Sequence, residues 1–101
     1  MEKDFEESSD KQQAAKNYFF EGIKNFENKN YLLARNNFKE SDKLLPNRLN
    51  TIVNLCASLI MLDEDQEAEE LITIYINIYT SDESFYRFKG DLLAKNNKNK
   101  R

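Results

Sequence analysis

The sequence predicts an all-α fold, and three observations lead to that prediction. The chain of 101 residues contains two glycines and one proline, too few for the turns that β-hairpins need. Its runs of Lys, Glu and Leu favour helices. Gly22, Cys56 and Gly90 recur at intervals of 34 residues (56 − 22 and 90 − 56). A fixed period of this length is typical of stacked helix pairs, so we expect one domain, an α-solenoid of about five helices.

The first two predicted helices, residues 11–28 and 31–44, form an antiparallel pair. Asn28-Lys29-Asn30 ends the first helix. Pro46 stops the second helix, because the residue before a proline disfavours helical backbone angles. Apolar and small residues at helical spacing give each helix an inner face. The inner faces consist of Ala15, Tyr18, Phe19, Gly22, Ile23 and Phe26 in the first helix, and of Tyr31, Ala34, Phe38 and Leu45 in the second.

The third predicted helix, residues 48–62, has apolar residues all round it, which is the pattern of a central helix flanked on several sides. Cys56 takes the position that Gly22 has in the first helix. This single cysteine cannot form an internal disulfide, so we expect it to be a buried packing residue.

The fourth predicted helix, residues 65–79, begins at the expected N-cap Asp65. Its Ala68-x-x-x-Ile72 spacing repeats Ala34-x-x-x-Phe38 of the second helix. The alternating segment Thr73–Thr80 has the local propensity of a strand, but the 34-residue register favours a helix. The expected buried stripe is Ala68, Leu71, Ile72, Tyr75 and Tyr79.

The fifth predicted helix, residues 82–96, ends where Asn96-Asn97-Lys98 aligns with the first turn. The register places Tyr86, Gly90 and Leu93 against the preceding helices. A second apolar stripe would then point outwards, and an exposed apolar stripe marks an interface. We therefore expect either self-association or a longer repeat array at this stripe, which consists of Phe85, Phe88 and Leu92.

The helical domain covers residues 13–96, between an acidic extension at residues 1–12 and a basic tail at residues 97–101. We expect both ends to be solvated. A formal net charge of −3 gives no overall attraction to nucleic acid or to anionic membranes, so neither is an expected partner. The sequence has no apolar run of transmembrane length and no signal-peptide pattern, which predicts a cytoplasmic protein.

The side chains present argue against catalysis. The chain has no histidine, which removes imidazole bases and histidine-ligated metal sites. Both glycines are assigned to helix packing, so none remains for a phosphate-binding loop. A calcium loop starting in the acidic run at residues 63–67 would need a glycine where Ala68 stands and an acid where Ile74 stands. We therefore expect no enzymatic activity, no cofactor and no metal.

The repeated residues resemble the tetratricopeptide repeat, W-x₂-L-G-x₂-Y…A-x₃-F…P. The first unit, residues 15–48, matches best, with Tyr18 in place of the tryptophan. It departs from the pattern at Glu21 and Asn25. Its matching positions are Gly22, Ala34, Phe38 and Pro46.

The second and third units resemble the family less closely. The second, residues 49–82, keeps Leu55 and Ala68 but has Cys56 for the glycine and Thr80 for the proline. The partial third unit, residues 83–96, begins with Tyr86, Gly90 and Leu93 and lacks a second helix. The resemblance implies two full repeats followed by one further helix.

The resemblance also implies a concave groove lined by the first helix of each pair, which holds an extended or helical peptide. The apolar Phe19 and Ile23 stand where carboxylate-gripping relatives have lysine and asparagine, so that clamp is absent. The groove residues implied by register are Lys16, Phe19, Ile23, Phe26 and Glu27, then Asn50, Val53, Ala57, Ile60 and Met61, then Ser84, Arg87, Asp91 and Ala94.

The expected function is that of an adaptor, similar to apolar-groove chaperones of this family, that binds a protein or peptide ligand through side-chain anchors. Two alternatives remain open. The chain could be a homodimeric structural module, or the docking arm of a larger repeat protein or enzyme. It is also open whether the groove is free or filled by residues 1–12.

Overall fold

The computed structural model describes residues 2–99, with side chains for residues 10–97. Within that range the chain is all-α, as predicted. Each helix packs against the next along the chain, and α3 also contacts α1 and α5. The helices are α1 (Glu2–Glu27), α2 (Tyr31–Leu44), α3 (Leu49–Met61), α4 (Asp65–Tyr75) and α5 (Ser84–Asn99).

Helices α1 and α2 form a close antiparallel pair. Gly22 lies against the ring of Phe38, and a Cβ atom added at Gly22 would be 2.6 Å from Phe38 Cε1. Seven residues earlier in α1, the carbonyl of Ala15 accepts a hydrogen bond of 2.8 Å from Ser41 Oγ. Only a small residue at position 22 allows this approach, so the predicted packing role of Gly22 is confirmed.

The 34-residue period is also a period of backbone geometry. Lys29 and Asp63, which are 34 residues apart, both have left-handed backbone angles, with φ of 64° and 60°. The amide of the residue after Lys29 donates a hydrogen bond of 2.8 Å to the carbonyl five residues before that amide. The amide of the residue after Asp63 donates the corresponding bond, of 2.9 Å. These bonds satisfy carbonyls at the ends of α1 and α3. The same turn therefore joins each helix to its partner.

Helix α3 lies at the centre of the core, as its all-round apolar pattern predicted. Its Ile52, Cys56 and Leu59 are fully buried. Because α3 is flanked by α2, α4 and α5, one cluster of buried residues runs through four helices. The cluster consists of Ala34, Phe38, Ile52, Leu55, Cys56, Leu59, Ala68, Ile72, Tyr75, Phe85, Phe88 and Leu92.

Two helix boundaries differ from the predicted ones. Helix α1 begins at Glu2, so the backbone of the predicted acidic extension is part of it. Helix α4 ends at Tyr75, four residues before the predicted end. The segment that follows is rich in β-branched residues, which lowers its helix propensity. Tyr79 leaves the helix and stacks with Tyr75 and Phe85, at ring-centroid distances of 6.3 and 6.5 Å. No strand forms within residues 2–99.

The predicted orientation of α5 is wrong. Tyr86 and Leu93 are 55% and 58% exposed. The expected outer stripe of Phe85, Phe88 and Leu92 is buried instead. The register had aligned Gly90 with Gly22, which faces the second helix of its own pair. No helix follows α5 within the described residues, so that face is open, and α5 buries the side that is turned towards α3 and α4.

Two further expectations are corrected. Tyr18, expected on the inner face of α1, is 38% exposed, because Ala15 and Phe19 occupy the inner side at that level. Helix α5 continues to Asn99, through the predicted turn at Asn96-Asn97-Lys98. The turns at Lys29 and Asp63 are each followed by a helix that packs against the preceding one. Within the described residues no helix packs back on α5 in this way, and α5 continues without a turn. The side chains of residues 98–101 in the predicted basic tail lie outside the described ones.

A half-buried lysine joins α5 to the turn between α3 and α4. Lys95 Nζ lies 2.6 Å from Asp63 Oδ1 and 2.9 Å from Asp65 Oδ1, and it donates a hydrogen bond of 2.9 Å to the Ile60 carbonyl. Burial acts to lower the pKa of the Lys95 ammonium, but hydrogen bonds and charge from the two aspartates outweigh it, so the pKa is raised.

Over residues 2–99 no helix has both the length and the apolar content of a membrane span.

Candidate functional site

Six of the predicted groove positions on α1 and α3 are half-buried apolar side chains. Their side chains pack against the core cluster from one side and remain partly accessible from the other. Helices α1 and α3 are in contact, so these positions lie on neighbouring elements. The half-buried residues are Phe19, Ile23 and Phe26 from α1, and Val53, Ala57 and Ile60 from α3.

A cavity of about 1110 Å³ opens at one end of this surface. Three predicted groove residues, Lys16, Phe19 and Asn50, line it together. Met61 is 51% exposed, and Arg87 is exposed on α5; neither lines this cavity. The other lining residues are Gln12, Ala15, Phe20, Ser41, Leu45, Pro46, Asn47, Arg48, Leu49, Thr51 and Tyr79.

The turn between α2 and α3 forms the wall opposite α1. Pro46 ends α2, and Asn47 adopts left-handed backbone angles with φ of 68°. The Asn47 amide donates a hydrogen bond of 3.0 Å to Asp42 Oδ1. The hydroxyls of Tyr75 and Tyr79 donate hydrogen bonds to the side-chain and main-chain oxygens of Asn47. Three such bonds hold the turn, so this wall is preorganised.

The Tyr75 hydroxyl stays protonated in this arrangement at ordinary pH. Burial, followed by the nearby Asp42 carboxylate, raises the pKa of the Tyr75 hydroxyl. The hydroxyl therefore keeps its proton and donates a hydrogen bond to the side-chain oxygen of Asn47. This links the buried core directly to the wall of the cavity.

The cavity combines an apolar floor with a basic rim. Lys16 and Arg48 are exposed at its edge, and its lining contains no acidic residue. Phe20 is 57% exposed, and its ring packs edge-on against Phe19 with centroids 5.6 Å apart. Such a surface can accept an apolar anchor beside a negatively charged group.

The N-terminal part of α1 leaves the half-buried surface uncovered. The backbone of residues 2–27 is one continuous helix. Residues 2–12 therefore continue along the helix axis, and they cannot fold back over Phe19, Ile23 or Phe26 on the same helix.

Sequence reasoning missed Phe20 and Arg48, the two exposed side chains that most distinguish the cavity. The register of the first helices carried no information about the connection between α2 and α3. A basic residue two positions after Pro46, in a segment otherwise rich in leucine and asparagine, was the available signal.

Cys56 lies outside the cavity, within the core. Burial raises the pKa of its thiol to about 12, so the thiol is neutral and acts as a small apolar group. Among the described residues no group of three or more acidic, cysteine or histidine side chains is placed to hold a metal ion.

Comparisons of the chain with models of protein families, with curated proteins and with solved structures find no match. The likeness to the tetratricopeptide repeat therefore rests on the recurring residues and on the turn geometry repeated after Lys29 and Asp63.

Proposed function

We propose that this chain is a protein–protein interaction module of tetratricopeptide type that binds a peptide in the cavity between α1 and the turn that follows α2. The observation that carries the proposal is the preorganised cavity, with its apolar floor of Phe19, Phe20 and Leu49. The repeated turns support a stack of helix pairs, an architecture that presents concave surfaces to peptides.

The ligand would supply an apolar anchor. Full burial of one leucine or phenylalanine side chain contributes about 1.5–3 kcal/mol. Phe20 is the natural contact, because more than half of its surface is accessible in the free chain. The half-buried side chains of α1 and α3 extend the same apolar surface away from the cavity.

The ligand would also carry acidic residues beside its anchor. Lys16 and Arg48 give the rim a positive charge, and no lining carboxylate opposes it. An exposed ion pair contributes only about 0.2–1 kcal/mol, so the charges would contribute more to the specificity of binding than to its affinity. Binding should therefore weaken modestly as salt concentration rises.

A selection from displayed random peptides, followed by calorimetry on the selected sequences, tests this proposal. The selected peptides should share an apolar anchor with neighbouring Asp or Glu. Phe20→Asp should weaken their binding at least about tenfold, which corresponds to about 1.4 kcal/mol. Arg48→Glu should weaken acidic peptides and leave uncharged ones largely unchanged.

The matched controls lie outside the cavity. Leu33→Asp changes a side chain that is 54% exposed on α2, and Lys24→Glu reverses an exposed charge on α1. Both should bind as the unmodified chain does, with all variants equally helical by circular dichroism. The proposal fails if no peptide is selected, or if the cavity variants bind as tightly as the controls.

A further inference from the structure

One face of α5 packs against no other element among the described residues. Gly90 lies in the middle of this helix, where glycine is less favourable than alanine unless another backbone or ring must come close. At Gly22, which has the same register, Phe38 fills that space. At Gly90 nothing in the described chain lies within 4 Å of an added Cβ. Tyr86 and Leu93, on the same face, are large, apolar and exposed.

We propose that this face binds the same face of a second copy of the chain, with the two α5 helices antiparallel about a two-fold axis near Gly90. A two-fold interface uses one surface twice, so the surface must complement itself. The order of residues along α5 meets that condition in both apolar contacts and charge.

The apolar side of the face is self-complementary. Successive residues of an α-helix are separated by about 100° and rise about 1.5 Å. With Gly90 at the centre, Tyr86 and Leu93 lie about 40° and 60° to one side. A two-fold antiparallel pair brings the same side of each helix together. Tyr86 then lies level with Leu93 of the second copy, within about 1.5 Å along the axis. The symmetry forms this contact twice.

The polar side of the face is self-complementary in charge. Arg87 and Asp91 lie about 60° and 100° to the other side of Gly90. In the paired arrangement the positions of Arg87 and of Asp91 of the second copy differ by about 3 Å along the helix axis. The symmetry places the other Arg87 and Asp91 in the same relation. Arg87 and Asp91 are both exposed. The guanidinium carbon of Arg87 lies 6.0 Å from the centroid of the neighbouring Phe88 ring.

The predicted dimer is weak. A single helix-on-helix contact is smaller than the roughly 1,000 Å² of buried surface that a stable interface needs. The exposed Lys89 side chains of the two copies would also meet at the rim, and their like charges oppose association. Dimers should therefore form at high concentration and dissociate on dilution.

Disulfide trapping tests the predicted register. In Gly90→Cys the two introduced thiols would lie close to each other across the two-fold axis, so a mild oxidant should produce a covalent dimer of twice the 12.0 kDa chain. Leu33→Cys places a thiol at another exposed position, on α2, and is the matched control. The unmodified chain controls for Cys56, which is buried. The proposal is wrong if Gly90→Cys cross-links no faster than Leu33→Cys.

Charge exchange tests the interface without a covalent bond. Light scattering at concentrations up to about 1 mM should show a mass that rises from 12.0 kDa towards its double. Arg87→Asp alone and Asp91→Arg alone should each reduce that rise, whereas the double variant should restore it. Circular dichroism of each variant checks that a loss of association is not caused by a loss of folding. A mass of 12.0 kDa at every concentration, or association indifferent to these charges, would overturn the proposal.

Discussion

Gly22 and Gly90 have the same register but different surroundings. The first lies against a fully buried aromatic ring, and the second faces open space. A glycine in a helix lacks a side chain to pack and costs backbone entropy, so its effect on stability depends on what its missing Cβ leaves room for. The two positions therefore predict opposite responses to the same substitution.

Gly22→Ala should lower the free energy of unfolding by about 1–3 kcal/mol, because the added methyl overlaps the Phe38 ring. Gly90→Ala should raise the same quantity by up to about 1 kcal/mol, because alanine has the higher helix propensity and meets nothing. Urea denaturation at low protein concentration measures both. Equal effects at the two positions would contradict the packing described for Gly22.

Helix α5 shows how a correct helix can be assigned the wrong buried side. Its apolar residues form two stripes, and either could have faced the core. The structure buries the stripe that contains Leu92 and leaves the stripe that contains Leu93 in solvent. Two adjacent leucines thus differ in burial, which makes them a matched pair.

Leu92→Ala should destabilise the fold by about 2–5 kcal/mol, since it removes a buried side chain and leaves a cavity. Leu93→Ala should change the free energy of unfolding by no more than about 0.5 kcal/mol. Thermal or chemical denaturation of the two variants decides between the stripes. A larger loss at Leu93 would restore the orientation that the repeat register predicted.

Lys95 connects three elements through one ammonium group, and its protonation should contribute to stability. The folded-state pKa of Lys95 is raised above its ordinary value of 10.5. A raised pKa means that the stabilisation is fully present below about pH 10 and is lost as the pH rises through the folded-state value. The ion pairs with Asp63 and Asp65 are the source of this dependence.

Lys95→Met should lower the free energy of unfolding by about 1–3 kcal/mol at pH 7, since it leaves the Ile60 carbonyl and the two aspartates without their donor. The difference from the unmodified chain should stay constant to about pH 9 and narrow above about pH 10. Denaturation series at several pH values measure it. A difference that stays constant through pH 11 would show that the ammonium charge is not responsible.

The whole molecule is held together by one continuous core. Buried residues from Ala34 in α2 to Leu92 in α5 touch the same cluster, and α3 passes through its centre. Helix α1 joins this unit through Gly22 and Phe38. No smaller group of helices has a separate core within the described residues, so folding should be cooperative.

Unfolding should therefore be a single transition. The Cys56 thiol is buried, and its pKa of about 12 leaves almost no thiolate at pH 8. Reaction of Cys56 with a thiol reagent should follow the loss of helical circular dichroism at the same urea concentration. Earlier exposure of the thiol would show that α3 opens before the rest of the molecule.

The repeat register was sufficient to predict most helices and the position of the core. Its strongest successes are Gly22 against Phe38, the fully buried Cys56 and the central α3. Each depends on local spacing and side-chain size. The cavity was only partly predictable: Lys16, Phe19 and Asn50 follow the register, whereas Phe20 and Arg48 meet across a loop whose course the register does not specify.

By itself the sequence determined the all-α class, the 34-residue repeat and the turns at Lys29 and Asp63. These follow from backbone propensity and from contacts between residues near each other along the chain. Tertiary structure decided which stripe of α5 is buried and how α1 meets the turn after α2. Both depend on which surfaces distant helices leave uncovered, because burial of an apolar face is a property of its neighbours as much as of its own residues.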